Sequence, residues 1–185
     1  MSKGKLFVVS GASGVGKSTV LKRVMEERKD LIFSVSATTR APRDGEIHGV
    51  HYYFITDDQF RGMIARGEFL EYNEHHDVLY GTPAIQITEK QERGNVLLDV
   101  EPNGAFNVRK ARPDATLIFI MPPSREELER RLRGRGDTSE EQIAIRLKRA
   151  NWEMEQSVHY DYVVVNDQVE TCADKILEII AEKAN

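Results

Sequence analysis

The sequence predicts an α/β protein in which helices cover both faces of a mainly parallel sheet. Short apolar runs rich in β-branched residues alternate with longer segments of helical periodicity, the order that strand–helix units produce. A glycine-rich stretch joins the first apolar run to the first helical segment. One polar, β-rich stretch interrupts the alternation, so the predicted fold also contains an insertion.

The predicted core elements follow from these two periodicities. Apolar runs predict strands at 5–10, 31–35, 95–100, 115–121 and 162–165. Helical spacing predicts helices at 18–28, 83–93, 104–112, from 124 to a break near Gly134, at 138–157 and at 170–184. Three helix starts carry cap signals: Thr82 before Pro83, and capping boxes beginning at Ser124 and Thr138.

The stretch from 36 to 82 departs from the alternation. Its first part, 36–49, is polar and rich in turn residues. The aromatic stretch 51–55 predicts a strand, and the short helix that follows can be capped by Thr56 or Asp57. Two more short strands, at 69–72 and 78–80, could pair antiparallel. We therefore predict a small β-rich insertion in the α/β core.

Composition excludes several classes of protein. The net charge of −4 argues against a dedicated nucleic-acid binder, and no apolar run approaches the roughly 20 residues that span a bilayer. The N-terminus lacks the apolar segment of a signal peptide. The single cysteine, Cys172, suits a reducing compartment. We expect a cytoplasmic protein with small-molecule partners, no nucleic acid and no membrane, as a monomer or homo-oligomer.

The glycine-rich stretch predicts a nucleotide site. Residues 11–18 match G-x-x-x-x-G-K-[ST], the phosphate-binding P-loop, between a strand and a helix start. Backbone N–H groups and the helix dipole favour phosphate there, Lys17 is expected to reach the β- and γ-phosphates, and the Ser18 hydroxyl to bind Mg²⁺. The residues assigned to ATP are Gly11, Ala12, Ser13, Gly14, Val15, Gly16, Lys17, Ser18 and Thr19.

Asp99 ends an apolar strand. In P-loop proteins a second carboxylate that organises Mg²⁺ stands at such a position. The alternative is an aspartate that caps a loop. Given the P-loop motif, we favour a metal role for Asp99.

Arg40 and Arg43 lie in a predicted turn. Two arginines held by one turn can bind a single dianionic phosphate, and Tyr52 and Tyr80 could add hydroxyl donors. Taken alone, the arginines also fit a solvated loop, and the tyrosines also fit packing within a sheet.

Glu71 lies in the β-rich insertion. A buried carboxylate only accepts hydrogen bonds, and guanine offers two adjacent donors, N1–H and the 2-amino group. Adenine lacks this pair, so such a site would reject it. An acidic residue on a strand is otherwise more often solvated.

Basic residues cluster on both sides of Gly134, among them Arg131, Arg135 and Arg146. Such a cluster could close over transferring phosphates. We expect these side chains to be solvated before nucleotides bind. The alternatives are a solvated basic face or a weak RNA-binding patch.

These segments together closely resemble the guanylate kinase family, nearly end to end. The most specific are residues 11–19 and 33–46, the latter F-S-V-S-A-T-T-R-A-P-R-D-G-E, with L-Y-G-T at 79–82 and V-N-D at 165–167. The resemblance implies a P-loop NTPase core at 1–35, 83–122 and 159–185. It also implies a GMP-binding domain at 36–82 and a helical lid at 123–158.

The resemblance also implies transfer of the γ-phosphoryl group from Mg²⁺–ATP to GMP, with dGMP as a further acceptor. Its implied roles are GMP phosphate binding by Arg40, Arg43, Tyr52 and Tyr80; guanine binding by Ser36, Glu71, Thr82 and Glu101; catalysis by Lys17, Arg40, Arg131, Arg135 and Arg146; and adenine contact by Asn166. Glu101, followed by Pro102, replaces an aspartate common in the family. The alternative is a non-catalytic guanylate-kinase-like interaction module, which would have lost the ATP-binding loop.

Overall fold

The computed structural model describes residues 3–75, 77–134 and 139–184. The fold is α/β with a mainly parallel sheet flanked by helices, as predicted. The strands are β1 (Leu6–Gly11), β2 (Leu31–Ser34), β3 (Ala37–Thr38), β4 (Tyr53–Phe54), β5 (Phe69–His75), β6 (Val78–Pro83), β7 (Asn95–Asp99), β8 (Thr116–Met121) and β9 (Tyr162–Val165). The helices are α1 (Lys17–Glu27), α2 (Asp57–Ala65), α3 (Ala84–Gln91), α4 (Pro102–Ala111), α5 (Arg125–Arg133), α6 (Glu140–Glu155) and α7 (Val169–Ala184).

The chain forms two compact units. One consists of residues up to Leu6 and of Asp30–Ala115, and the other of Phe7–Lys29 with the residues from Thr116 onward. This division differs from the core, GMP-binding domain and lid that the sequence suggested. That three-part division remains a prediction.

The unit that begins at Phe7 contains the P-loop. Its strands β1, β8 and β9 pair in parallel, with Phe7 opposite Thr116 and Ile118 opposite Tyr162. Every residue of β1 is buried, which explains its continuous apolar run, since a strand of a parallel sheet is covered on both faces. Helix α1 packs against α7.

The other unit contains two sets of strands. Strands β2 and β7 pair in parallel, with Leu31 opposite Asn95. A separate four-stranded sheet has the order β4-β3-β6-β5, in which β6 is antiparallel to both neighbours. The ring of Phe60, on α2, stacks on that of Phe69, in β5, at 4.3 Å between centroids and packs with Ala37 and Leu79 of the sheet. The predicted β-rich insertion is therefore confirmed as a small sheet with its own apolar core.

The stretch 36–49 is mostly turns and loop, as predicted, and also contains the short strand β3. Two local predictions were wrong. Thr82 does not cap α3, because it lies within β6 and its hydroxyl donates to Glu71, so the N-cap is Pro83. Helix α4 begins at Pro102, earlier than predicted, because proline suits the first helical position.

The remaining helix starts follow their cap signals, with one shift. Thr56 forms a full capping box at α2, and Ser124 accepts from the Glu127 N–H at α5. At α6 the cap is Ser139, whose hydroxyl accepts from the Gln142 N–H at 3.3 Å. The predicted cap, Thr138, lies outside the described residues. Among the described residues, no helix is both long and apolar enough to cross a membrane.

Candidate active site

The P-loop runs from the end of β1 to the first turn of α1. Gly14 and Gly16 have φ angles of 87° and 91°, a left-handed backbone that glycine adopts without strain. Gly16 is the N-cap of α1, so Lys17 and Ser18 occupy the first helical turn. The first N–H groups of a helix have no carbonyl four residues earlier in the same helix, and the positive end of the helix dipole lies at this end. The loop therefore has the backbone shape of an anion-binding site.

Asn166 joins the loop after β9 to the P-loop. Its side chain is buried, and Nδ2 donates to the Val15 carbonyl at 2.7 Å. The Asn166 Oδ1 has no partner among the described residues. The structure thus places Asn166 beside the predicted ATP loop.

Arg131 contacts the same region from α5. Its Nη1 donates to the carbonyls of Val15 and Asn166 at 3.3 and 3.0 Å. Nε donates to Glu127 at 2.8 Å, four residues earlier on the helix. The expectation that this side chain is solvated was wrong, because backbone carbonyls and a carboxylate provide its partners and leave it only 24% exposed.

Glu153 on α6 contacts the P-loop itself. Its Oε2 accepts from the Ser13 N–H at 2.6 Å, and its Oε1 accepts from Nε of Arg149 at 3.0 Å. The carboxylate is buried. Sequence reasoning missed this residue, because nothing in the local pattern of α6 marks one glutamate as facing a loop 140 residues earlier.

The structure describes two of the three remaining residues assigned to the phosphates. Lys17 is half-buried in the first turn of α1, and Arg146 is half-buried on α6. Arg135 lies outside the described residues.

The other unit gathers the residues predicted to bind the GMP phosphate. Arg40 lies over the Tyr52 ring, with 5.2 Å from Cζ to the ring centroid, and the rings of Tyr52 and Tyr80 are 6.1 Å apart. Burial raises the pKa of Tyr52 to about 12, so its hydroxyl keeps its proton at neutral pH. Arg43 is exposed nearby in the same loop.

Glu46 organises this cluster and was not singled out from the sequence. Its two carboxylate oxygens accept from Nη1 and Nη2 of Arg40, and Oε2 also accepts from the Arg43 N–H at 2.7 Å. The hydrogen bond with Arg40 holds the pKa of Glu46 at about 2. The sequence did contain a signal for this pair. An acidic residue stands six positions after Arg40, and the turn between them contains proline and glycine.

Glu71, predicted to bind guanine, is buried in the same unit. It is 7% exposed, and the Thr82 hydroxyl donates to its Oε1 at 2.7 Å. A Cβ on Gly104 would stand only 3.0 Å from its Oε2, so a glycine there leaves the carboxylate room. Burial raises the pKa of Glu71, and the nearby charge of Glu101 adds to the shift. Ser36 is half-buried, and its carbonyl accepts from the Tyr53 N–H at 2.9 Å.

The described residues contain no group of three or more His, Cys, Asp or Glu side chains that could hold a metal ion by themselves. Ser18 is exposed in the first turn of α1, and Asp99 is half-buried at the end of β7. Hydroxyl and carboxylate oxygens are the donors that Mg²⁺ prefers, and in nucleotide sites it takes few of them from the protein. The donor types therefore fit Mg²⁺ held mainly by phosphates and water.

Comparison with known proteins identifies the family. The family model described as guanylate kinase matches residues 3–183. The chain belongs to the guanylate kinase family. A guanylate kinase from Clostridioides difficile strain 630 is 45% identical over 186 residues, covering 100% of this chain and 91% of that protein. One from Thermus thermophilus is 48% identical over 179 residues, covering 96% of this chain and 81% of that protein.

A solved structure agrees. The crystal structure of guanylate kinase from Anaplasma phagocytophilum superposes with a TM-score of 0.81 at 34% identity. The match covers 99% of this chain and 87% of that one. Both the sequence and the fold thus resemble guanylate kinases along almost the whole chain.

Proposed function

We propose that this member of the guanylate kinase family transfers the γ-phosphoryl group of ATP to GMP, giving ADP and GDP, with dGMP as a further acceptor. The observation that carries the proposal is the intact P-loop, with left-handed Gly14 and Gly16 ahead of Lys17. A guanylate-kinase-like module that only binds other proteins has no need of this loop. The P-loop therefore favours catalysis over a non-catalytic interaction role.

The donor nucleotide binds at the P-loop. The loop from Gly11 to Thr19 surrounds its phosphates, and Lys17 offsets charge on the transferring group. The buried Oδ1 of Asn166 is an acceptor available to the adenine amino group. Ser18 and Asp99 would hold Mg²⁺, which supplies charge neutralisation at the phosphates.

The acceptor nucleotide binds in the other unit. Arg40 and Arg43 bind the GMP phosphate, with hydroxyl donors from Tyr52 and Tyr80. Glu71 accepts from N1–H and the 2-amino group of guanine. Three further residues complete the guanine side: Ser36, Thr82 and Glu101.

The reaction requires no general base, because the second pKa of a phosphate monoester is near about 6 and GMP is already largely dianionic at neutral pH. Its phosphate oxygen attacks the γ-phosphorus of ATP as the bond to ADP breaks. Catalysis comes from alignment and charge neutralisation. We assign the neutralisation to Lys17 and Arg40, together with the lid arginines Arg131, Arg135 and Arg146.

We also propose the cellular setting that the sequence suggests. The partners are small nucleotides, with neither nucleic acid nor membrane, and the protein acts in the cytoplasm as a monomer or homo-oligomer. Cys172 is a free, buried thiol, which is compatible with a reducing compartment.

A coupled assay of ADP formation tests the function. The purified protein with Mg²⁺–ATP and GMP should turn over, and Lys17→Ala should lower kcat by about a hundredfold or more. The matched control is Lys22→Ala, since Lys22 lies on the same helix with its side chain 78% exposed; it should keep normal turnover. A folded Lys17→Ala variant with normal kcat would support the non-catalytic role instead.

A further inference from the structure

The middle of the P-loop is held by side chains from other elements. Glycine restricts a backbone least, and Gly14 and Gly16 lie on either side of Val15 in this loop. The Val15 carbonyl accepts from Asn166 and Arg131. The Ser13 N–H donates to Glu153. The loop's shape therefore depends on contacts that its own residues do not provide.

The contact from Glu153 carries an electrostatic cost. A buried carboxylate near a loop that binds phosphates repels the ligand, and burying it away from water costs free energy unless both oxygens are satisfied. Here one oxygen accepts from Ser13 and the other from Arg149. Arg149 offsets the negative charge, while the bond to Ser13 fixes a main-chain amide of the P-loop.

We propose that Glu153 is a positioning residue for ATP. Its carboxylate holds the Ser13 amide, so that the following residues of the loop present their N–H groups to the phosphates in one arrangement. Arg149 orients the carboxylate and compensates its charge. The proposal rests on the proposed function, because it assumes that ATP binds at the P-loop.

The purpose of the test is to separate positioning from simple packing. If Glu153 only stabilised the fold, its replacement would lower the melting temperature and change the affinities for ATP and GMP by the same factor. If it positions the P-loop, ATP binding should weaken while GMP binding does not. Both KM values and the Kd for Mg²⁺–ATP alone, measured by calorimetry, report this difference.

Glu153→Gln is the informative single variant. An amide has one acceptor oxygen, whereas the carboxylate uses two, one for Ser13 and one for Arg149. The –NH₂ group must therefore face one of these donors. Loss of a charge-assisted hydrogen bond predicts an ATP KM and Kd raised about tenfold, with the GMP KM changed less than about twofold. The matched control is Glu155→Gln, at an exposed position of α6. It should leave the ATP KM, the ATP Kd and the GMP KM unchanged.

A second variant tests the role of Arg149. In Arg149→Met/Glu153→Gln the amide oxygen can accept from the Ser13 N–H without competition from the Arg149 guanidinium, so the ATP KM should recover toward the wild-type value. Arg149→Met alone completes the double-mutant cycle. Recovery of the ATP KM in the double variant would support positioning. If Glu153 and Arg149 only packed against their neighbours, the second substitution would raise the ATP KM further.

The outcomes separate the two proposals. A wild-type protein that fails to phosphorylate GMP contradicts the proposed function, whatever Glu153 does. An active wild type whose folded Glu153→Gln variant binds ATP normally, or loses ATP and GMP affinity equally, overturns the positioning role. If Glu153→Gln does not fold, an Arg149→Met/Glu153→Gln variant that folds but binds ATP ten times more weakly would also contradict it.

Discussion

Glu46 binds the guanidinium of Arg40 through both carboxylate oxygens, at 2.7 Å from Nη1 and 2.7 Å from Nη2. The same carboxylate accepts from the Arg43 N–H. A planar guanidinium held in this way has a fixed orientation, and its charge is partly compensated until a phosphate arrives. Glu46 therefore prepares the loop for a dianion without contributing a donor to it.

Glu46→Gln should weaken GMP binding. The amide retains one acceptor oxygen and presents a donor to Arg40 or to the Arg43 N–H, so the loop loses its orientation. We expect the GMP KM to rise about tenfold, the scale of one charge-assisted hydrogen bond, with the ATP KM unchanged. Initial rates with each nucleotide varied in turn measure this.

The matched control for that experiment is Glu68→Gln. Glu68 also binds an arginine, Arg66, through both oxygens, but on an exposed surface. It should leave both KM values unchanged. An unaltered GMP KM in a folded Glu46→Gln variant would show that Arg40 needs no such support.

Glu71→Gln should separate the two nucleotide sites. The variant keeps the shape of the side chain but can turn an amide donor toward the guanine donors. The GMP KM should rise by about tenfold or more, while the ATP KM hardly moves. Glu74→Gln, at an exposed position of the same strand β5, is the control. A comparable rise in both KM values would mean that Glu71 is structural.

The same substitution should make the nucleotide-free protein more stable at neutral pH. Burial raises the folded-state pKa of Glu71, so between the unfolded and folded pKa values the folded protein binds more protons. Stability then falls as pH rises through that window, and the ionised carboxylate is destabilising above it. Glu71→Gln should raise Tm at pH 8 by about 3 °C, and the gain should shrink as the pH falls toward the carboxyl's ordinary pKa of about 4.3. Calorimetric scans of the wild type and the variant at both pH values measure this difference. A lower Tm for Glu71→Gln than for the wild type at pH 8 would contradict the prediction.

The sequence predicted the elements whose signals are local. The P-loop could be recognised because its glycines, lysine and serine are contiguous between a buried strand and a helix. Thr82 was wrongly predicted to cap α3. Its hydroxyl instead donates to Glu71, which lies on the paired strand β5. Local cap statistics carry no information about such a contact.

The supporting residues of the site were harder to predict. Glu153 contacts Ser13 from far along the chain, and its helix contains other glutamates that face solvent. Arg131 was expected to be solvated, yet it donates to main-chain carbonyls that only the folded chain brings near α5. Contacts of this kind depend on tertiary packing, and a single sequence holds no periodic signal for them.

The central claim is that this protein phosphorylates GMP and selects it by guanine recognition at Glu71. The most direct test is kcat/KM for GMP, AMP, CMP and UMP, measured with Mg²⁺–ATP in one coupled assay of ADP release. We predict that GMP exceeds each of the other monophosphates by about a thousandfold or more, because a site built to accept two donors rejects a base that lacks them. A kcat/KM for AMP comparable to that for GMP would contradict the account.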